Sequence, residues 1–364
     1  MFLIKTFILL YTTILVACVT IPDLTGVTSY YVHANGNDKN NGTSEEKPFK
    51  TLARAIEASI KTNVKRITVI GTLKGPMLIE DMKNISPASV RALQKYMDSS
   101  NAKDIARKIG IVVIQGSWDV PVLGEILITG KQDASPSERA VLTSNTETPL
   151  LILNRAIRLE HIEISTVHQD CAVRVINGDL ILGKGTKITN NSMGININGG
   201  TLIMWDDAEI SHNAGTGVYF QNGSMGILLG NALVTYNKAA TDGGGIVLQG
   251  SRLDMRDNAT ISNNIAGNAG GGIMAITDEE NGYFSQISMY DDSAVIDNCA
   301  VEGGGIFFQD ILSLLDTARV TGNIASVRGG GVLGTSTARI TKRTSVILEN
   351  NGAPQFPDIN FDFN

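Results

Sequence analysis

The chain has 364 residues, of which 43% are hydrophobic and 38 are glycine, and its 30 basic and 36 acidic residues give a formal net charge of -6. Because neither sign of charge forms a long run, nucleic acid and anionic membrane surfaces are poor partners on electrostatic grounds. Abundant glycine, few aromatic residues and many short runs of Val and Ile predict an all-β protein with tight turns and a sizeable core, rather than a disordered chain.

The N-terminal segment carries one positive charge, Lys5, followed by an apolar stretch that is too short to span a bilayer comfortably. Its end, "LVAC", resembles the lipobox of bacterial lipoproteins, in which the cysteine is acylated and becomes the new N-terminus. The resemblance implies a signal peptide over residues 1–17, a lipid on Cys18, and export to the bacterial outer membrane or cell surface. An ordinary signal peptide that ends beside a chance cysteine is the alternative.

Residues 18–29 are predicted to be a tether, and residues 30–364 a single folded domain. The domain begins with "YYVHANGNDKNNGTSEEKPFKTLARAI", which predicts a strand, a loop rich in Asn and Gly, and a helix with Leu52, Ala55, Ile56 and Ile60 on one face. This segment resembles the entry segment of bacterial right-handed parallel β-helix proteins of the pectate-lyase-like kind, where the helix caps the first coil. Lyases, hydrolases and adhesins all use that fold, so the resemblance implies no single activity.

A strand is predicted over residues 66–75, and another over residues 111–116. Between them, residues 84–110 depart from the strand pattern: Ser86 and Pro87 predict a capped helix, and "NAKDIARKIG" predicts a second one. We interpret this segment as a small helical insertion that lies against the β-helix.

From about Leu159 the chain repeats itself. Each unit has an alternating strand, a turn, a β-branched pair, an asparagine and a glycine that enters a second strand. The asparagines are separated by steps of 22, 24, 27, 34 and 25 residues, and they are Asn191, Asn213, Asn237, Asn264, Asn298 and Asn323. A period of this length predicts a solenoid in which one unit is one coil.

"GGGI" or "GGGV" occurs four times in these repeats, always before a strand. A phosphate-binding loop would need a following helix, so we interpret the glycines as corners where neighbouring coils come close. The glycine-glycine-isoleucine signature resembles the repeats of polymorphic outer-membrane proteins and autotransporter passengers, and the resemblance covers roughly residues 159–351.

Stacked coils place equivalent residues about 4.8 Å apart, so the asparagines are predicted to form a hydrogen-bonded column. Strand alternation predicts two buried apolar columns. Their members are Leu202/Met204, Leu253/Met255, Ile287/Met289 and Leu312/Leu314 on one side, and Val218/Phe220, Ile246/Leu248, Ile273/Ala275 and Ile306/Phe308 on another. Cys171 and Cys299 lie about five coils apart, on the order of 24 Å, so they are predicted to be free, buried thiols.

The outward positions of the strands that follow the glycine corners form an apolar stripe, which is the predicted binding surface. A stripe of this length is typical of a contact site, although residues 84–110 of the same chain are an equal candidate to cover it. The stripe residues are Tyr219, Val247, Met274, Phe307 and Leu333.

The best catalytic constellation is Asp254, Arg256 and Asp257, because polysaccharide lyases on β-helices use clustered carboxylates to hold Ca²⁺ and a nearby Arg or Lys to abstract a proton. Asp and Asn are also ordinary turn residues, which is the stronger interpretation of Asp257. The four histidines show no metal-ligand spacing, and no metal site or obligatory cofactor is predicted.

The sequence therefore predicts a surface-exposed, lipid-anchored β-helix that serves adhesion or ligand binding without catalysis. Its partners would be the membrane, through the lipid, and a protein or carbohydrate ligand. The alternative is a carbohydrate-active enzyme, a polysaccharide lyase or glycosidase.

Overall fold

A computed structural model describes residues 29–62, 64, 66–74, 113–115, 126–135, 139–143, 150–153, 156–166 and 170–360. These residues form one helix and 35 strands, arranged in four parallel sheets. The predicted signal peptide, Cys18, the predicted insertion over residues 84–110 and nearly all of the predicted tether lie outside the described residues. Within the described part of the chain, no helix is long and apolar enough to cross a membrane.

Sheets 1 and 2 are the first two faces that each coil visits. Sheet 1 has 11 strands: Ser29–His33, Arg66–Ile70, Ile126–Thr129, Ala156–Glu160, Asp179–Leu182, Thr201–Met204, Met225–Leu228, Arg252–Met255, Gln286–Met289, Ile311–Leu314 and Arg339–Lys342. Sheet 2 has ten strands: Thr72–Lys74, Ala140–Thr143, Ile162–Ile164, Lys187–Thr189, Glu209–Ser211, Leu233–Thr235, Thr260–Ser262, Ala294–Ile296, Arg319–Thr321 and Ile347–Glu349.

Sheet 3 completes each coil, and sheet 4 widens the later coils between sheets 2 and 3. Sheet 3 has ten strands: Val113–Gln115, Leu150–Leu153, Cys171–Ile176, Met193–Asn198, Val218–Gln221, Ile246–Gln249, Ile273–Ile276, Ile306–Phe308, Val332–Gly334 and Ile359–Asn360. Sheet 4 has four strands: Lys238–Ala239, Ile265–Ala266, Cys299–Glu302 and Ile324–Arg328.

This arrangement confirms the predicted parallel β-helix. Each strand pairs with strands of the coils before and after it, as Leu253 pairs with Ile287 and Met255 with Met289. Every member of the two predicted inward columns is at most 1% exposed. Burial of a large aliphatic side chain contributes about 1.5 to 3 kcal/mol, so these columns supply much of the driving force for folding.

The helix, Leu52–Thr62, packs against the first coil as predicted. Leu52, Ala55 and Ile56 are at most 2% exposed. The N-terminal end of the helix is held by Asp38, whose carboxylate accepts hydrogen bonds from the backbone N–H groups of Lys50 and Thr51 at 2.9 Å each. A carboxylate at this end also suits the helix dipole.

The glycine corners are as close to their neighbours as the sequence predicts. A Cβ on Gly272 would lie 2.7 Å from the carbonyl oxygen of Gly305 and 2.9 Å from Cγ1 of Val295. The first glycine of the same triplet, Gly270, has a φ of +68°, which favours glycine for a second reason. The triplets are therefore architectural, and in the described repeats each precedes a strand rather than a helix.

Candidate functional site

The asparagine column is a continuous ladder inside the β-helix. The side-chain N–H of each asparagine donates to the side-chain oxygen of the next, at 3.0 Å from Asn264 to Asn298 and again from Asn298 to Asn323. The same oxygen also accepts the preceding backbone N–H, as Asn298 does from Asn264 at 2.9 Å. Asn351, which was not among the predicted members, extends the ladder by one coil. The ladder residues are buried and their hydrogen-bonding groups are engaged, so the ladder is structural.

The aspartates in the turns that follow the sheet 1 strands are also engaged between coils. The carboxylate of Asp257 accepts the backbone N–H of Gly230 at 2.8 Å, and the carboxylate of Asp291 accepts that of Asp257 at 3.1 Å. Asp257 has a φ of 54°, in the left-handed region that Asp and Asn tolerate better than most residues. Asp257 is thus a turn residue that links two coils.

Asp254 lies on the outward face of sheet 1, and Arg256 directly follows that strand, just before the turn. Asp254 is partly buried, and burial raises the pKa of its carboxyl group, while Arg252, Arg256 and a hydrogen bond with Ser288 act in the opposite direction. The Arg256 guanidinium carbon lies 4.2 Å from the ring centroid of Tyr290, which is a cation–π contact. The structure therefore brings Asp254 and Arg256 into one electrostatic environment, but directs the Asp257 carboxylate to Gly230.

The apolar stripe is in register along sheet 3, with Tyr219 beside Val247, Val247 beside Met274, and Phe307 beside Leu333. It is less exposed than its outward position suggests: Val247 is 5% exposed and Leu333 is 3% exposed. The other three stripe residues are half-buried.

The glycine corners cover part of this stripe. A Cβ on Gly243 would lie 2.1 Å from Cγ2 of Val247, and one on Gly329 would lie 2.6 Å from Cβ of Leu333. The first glycine of each triplet thus passes over the stripe residue four positions later. This contact was not expected from the sequence, and residues 84–110, the cover that the sequence suggested, lie outside the described residues.

A loop over residues 277–285 stands out from the regular coils. It accounts for the 34-residue step between Asn264 and Asn298. Its ends are closed by an antiparallel bridge in which the Asp278 N–H donates to the Tyr283 oxygen at 2.9 Å and the Tyr283 N–H donates to the Asp278 oxygen at 3.2 Å. Asp278 is only 2% exposed and accepts hydrogen bonds from Asn281. The loop is therefore fixed on the surface of the β-helix.

Two glycines of earlier coils make room for this loop. A Cβ on Gly250 would lie 2.5 Å from Cβ of Asp278 and 2.7 Å from Cβ of Tyr283. A Cβ on Gly223 would lie 3.8 to 3.9 Å from three atoms of the Tyr283 ring. Nearly equal distances to three ring atoms indicate that one face of the ring rests over the turn at Gly223.

The loop meets a row of surface amides, and together they form what we call the amide–aromatic patch: Asn198, Asn222, Asn281, Tyr283 and Phe284. Asn281 donates to the side-chain oxygen of Asn222 at 3.1 Å, and Asn222 donates to that of Asn198 at 2.7 Å. Tyr283 is 48% exposed and Phe284 is 69% exposed. The patch thus combines exposed aromatic rings with amides on a fixed backbone.

Tyr219, at one end of the stripe, lies near the 277–285 loop. Its hydroxyl group donates to the side-chain oxygen of Gln249. Burial raises the pKa of Tyr219, and the negative charge of Asp278 in the loop adds to that effect. The repeat pattern does not predict the patch, although the long 34-residue step between Asn264 and Asn298 marks the place of the loop.

The prediction for the cysteines is half right. Cys171 is free and fully buried, and burial raises the pKa of its thiol to about 12. Cys299 is free but exposed, so the prediction that it is buried is wrong. It directly follows the ladder residue Asn298, and strand alternation turns it outward on sheet 4, in register with Ile265 and Ile324.

The described residues contain no group of three or more His, Cys, Asp or Glu side chains that could hold a metal ion. His212 stacks on Tyr236, with the ring centroids 5.0 Å apart.

No protein-family model, no curated protein and no solved structure matches the chain.

Proposed function

We propose that this protein is an exported lipoprotein, anchored at the bacterial cell surface through Cys18, whose β-helix binds a ligand without catalysing a reaction. Adhesion is the role that this arrangement suits best. The lipobox-like end of the apolar N-terminal segment supports the anchor, and the amide–aromatic patch supports the binding role.

The observation that carries the binding role is the exposure of Tyr283 and Phe284 on a loop that is held by hydrogen bonds. Large exposed aromatic side chains on a soluble surface mark interaction sites more often than scattered aliphatic ones do. Since the loop is already fixed, a ligand would meet it without the entropic cost of ordering it.

Removal of both aromatic rings tests this role. Tyr283→Ala combined with Phe284→Ala should abolish retention of the full-length protein, in detergent, on a panel of immobilised polysaccharides and extracellular proteins that retain the parent. Tyr236→Ala combined with Phe356→Ala is the matched control, because these rings are 54% and 52% exposed elsewhere on the surface. Equal loss in both double variants, or no retention of the parent on any surface, would contradict the proposal.

The lipid anchor has its own test. Cys18→Ala should move the protein from the detergent-rich phase to the aqueous phase of a phase separation, because it removes the only attachment site that the lipobox-like segment offers. A variant that stays in the detergent phase would place the anchor elsewhere.

A carbohydrate-active enzyme, a lyase or glycosidase, is the second candidate, and one observation favours it: Asp254 is a half-buried carboxyl group with a raised pKa beside Arg252 and Arg256. Raised carboxyl pKa values are common at catalytic sites. The engagement of Asp257 with Gly230 weakens this candidate, because it leaves Asp254 without the second carboxylate of the predicted site. Incubation with uronate-rich polysaccharides and Ca²⁺ decides: an unsaturated product that Asp254→Asn no longer forms would establish a lyase.

A further inference from the structure

The hydrogen-bonding capacity of the amide row points to the chemistry of the ligand. Asn222 donates one N–H to Asn198 and accepts one from Asn281, which leaves a second N–H and a second lone pair. Asn281 uses both side-chain N–H groups, on Asn222 and Asp278, and keeps its carbonyl oxygen as an acceptor. Asn198 accepts from Asn222 and keeps donors of its own. The row therefore offers both kinds of group: donors remain at Asn198 and Asn222, and acceptor oxygens remain at Asn222 and Asn281.

Such a row matches vicinal hydroxyl groups. Each hydroxyl group is both a donor and an acceptor, so a pair of neighbouring hydroxyls can bind a carboxamide through its N–H and its oxygen together. Asn198 and Asn222 lie on successive coils, about 4.8 Å apart along the solenoid axis. That spacing is about the length of one pyranose unit, so a linear polysaccharide can present hydroxyl pairs to successive amides.

Tyr283 supplies the second element of such a site. One face of its ring rests over the turn at Gly223, and the ring is 48% exposed, so the opposite face is open to a ligand. The electron-rich face of an aromatic ring attracts the weakly positive C–H groups of a sugar ring, and the contact buries apolar area. Stacking on Tyr283 would hold a pyranose ring beside the amides.

The negative charge of the 277–285 loop favours neutral polysaccharides over acidic ones. The loop contains three consecutive acidic residues, Asp278, Glu279 and Glu280, and Asp310 accepts hydrogen bonds from Thr277 and from the backbone N–H of Ser285. A negative site disfavours ligands that carry carboxylate or sulfate groups. Arg252, on the neighbouring strand, donates to Gln286 and attracts the Asp254 carboxylate, so its charge is partly engaged.

From the donors and acceptors that the amide row still offers, the open ring face and the acidic loop, we infer that the amide–aromatic patch binds a neutral polysaccharide. The inference rests on the proposed binding function and names its ligand class. It also separates the binder from the enzyme candidate, since the latter would act on uronate-containing polysaccharides.

The test is titration of the full-length protein in detergent with neutral glucans, mannans and xylans, and with polygalacturonate and alginate. We expect binding to at least one neutral polysaccharide and none to the acidic ones. Tyr283→Leu should weaken binding about tenfold, which corresponds to about 1.4 kcal/mol, whereas Tyr283→Phe should retain it, because the ring and not the hydroxyl group makes the contact. Asn222→Ala should also weaken binding, and Tyr236→Ala should not.

Preferential binding of an acidic polysaccharide, binding of no polysaccharide, or equal affinity of Tyr283→Leu and the parent would each overturn the inference. Unchanged circular dichroism and melting of the variants establish that any loss is a loss of binding. The ligand class and the proposed binding function can be tested separately. If no polysaccharide binds but removal of Tyr283 and Phe284 abolishes retention on a protein-coated surface, the ligand class is wrong and the binding role stands.

Discussion

Asn264→Ala removes one rung from the middle of the asparagine ladder and measures what the ladder contributes. The Asn264 oxygen accepts hydrogen bonds from the backbone N–H and the side-chain N–H of Asn237, both at 3.0 Å. Its own N–H groups donate to the Val234 carbonyl oxygen and to the Asn298 side chain, both at 3.0 Å. Alanine therefore breaks four hydrogen bonds at a position that is 0% exposed.

The expected loss follows from what each partner retains. One Asn237 side-chain N–H still donates to the Ile210 oxygen, and the Asn298 oxygen still accepts from the Asn264 backbone, but the Asn237 backbone N–H loses its acceptor. A buried unpaired donor costs about 1 to 3 kcal/mol, and each of the other lost hydrogen bonds about 0.5 to 1.5 kcal/mol. Allowing for relaxation around the small cavity, we expect destabilisation by about 3 to 5 kcal/mol.

Chemical denaturation, with hydrogen exchange of the Asn237 amide, checks this prediction. Exchange is needed because solenoids can open locally rather than as one unit. Asn258→Ala is the control: Asn258 also donates across coils, to Asn231 at 3.3 Å, but it is exposed, so the expected change is below about 0.5 kcal/mol. If Asn264→Ala is no less stable than Asn258→Ala and its amide exchange is unchanged, the ladder does not stabilise the protein.

Three further predictions concern the cysteines, a glycine corner and the outer face of sheet 1. In the native protein a thiol reagent should modify Cys299 and leave Cys171 unmodified until unfolding, because burial raises the pKa of the Cys171 thiol to about 12; rapid modification of both would show that Cys171 is accessible. Gly272→Ala should have a melting temperature well below that of Gly352→Ala. The nearest atom to an added Cβ lies 2.7 Å away at Gly272 but 3.8 Å away at Gly352. Equal melting temperatures would contradict the close stacking at the corner. Asp254→Asn should be more stable than the parent at neutral pH. Burial raises the pKa of Asp254 above its value in the unfolded chain, so ionisation of this group destabilises the fold as the pH rises. The difference in stability should vanish in acid, below the pKa of the unfolded chain, where Asp254 is protonated in both states. A stability difference that does not depend on pH would refute that cause.

The repeat pattern predicted the interior of the protein correctly because the interior obeys two simple periodicities. Strand alternation places Leu253 and Met255 inside, and the coil repeat brings Asn264 beside Asn298. Both rules depend only on positions along the chain. Burial of the apolar columns and pairing of the amides then follow, since stacked coils leave those groups no contact with water.

The surface could not be predicted in the same way, because it depends on where each loop packs against residues of other coils. The stripe residue Val247 points outward, as alternation requires, yet the chain at Gly243 folds back over it. Cys299 was predicted to be buried, but its neighbour Asn298 occupies the inward position and the cysteine faces solvent. The position of Tyr283 over Gly223 joins residues that are two coils apart, and no local pattern encodes that contact.

The contrast between the two sets of amides is the reason for placing the proposed binding site on the surface row. Along the interior ladder, the Asn264 side chain uses both N–H groups and accepts twice, so a ligand could bind there only by breaking the fold. Along the surface row, Asn222 makes one donor and one acceptor contact, so it is held in place and still has groups to offer. A binding site needs both properties. An unrestrained amide loses conformational entropy when the ligand binds, and an amide whose groups are all hydrogen-bonded within the protein cannot bond to a ligand. The row that meets the 277–285 loop satisfies both, which is why a variant there should change binding and leave folding intact.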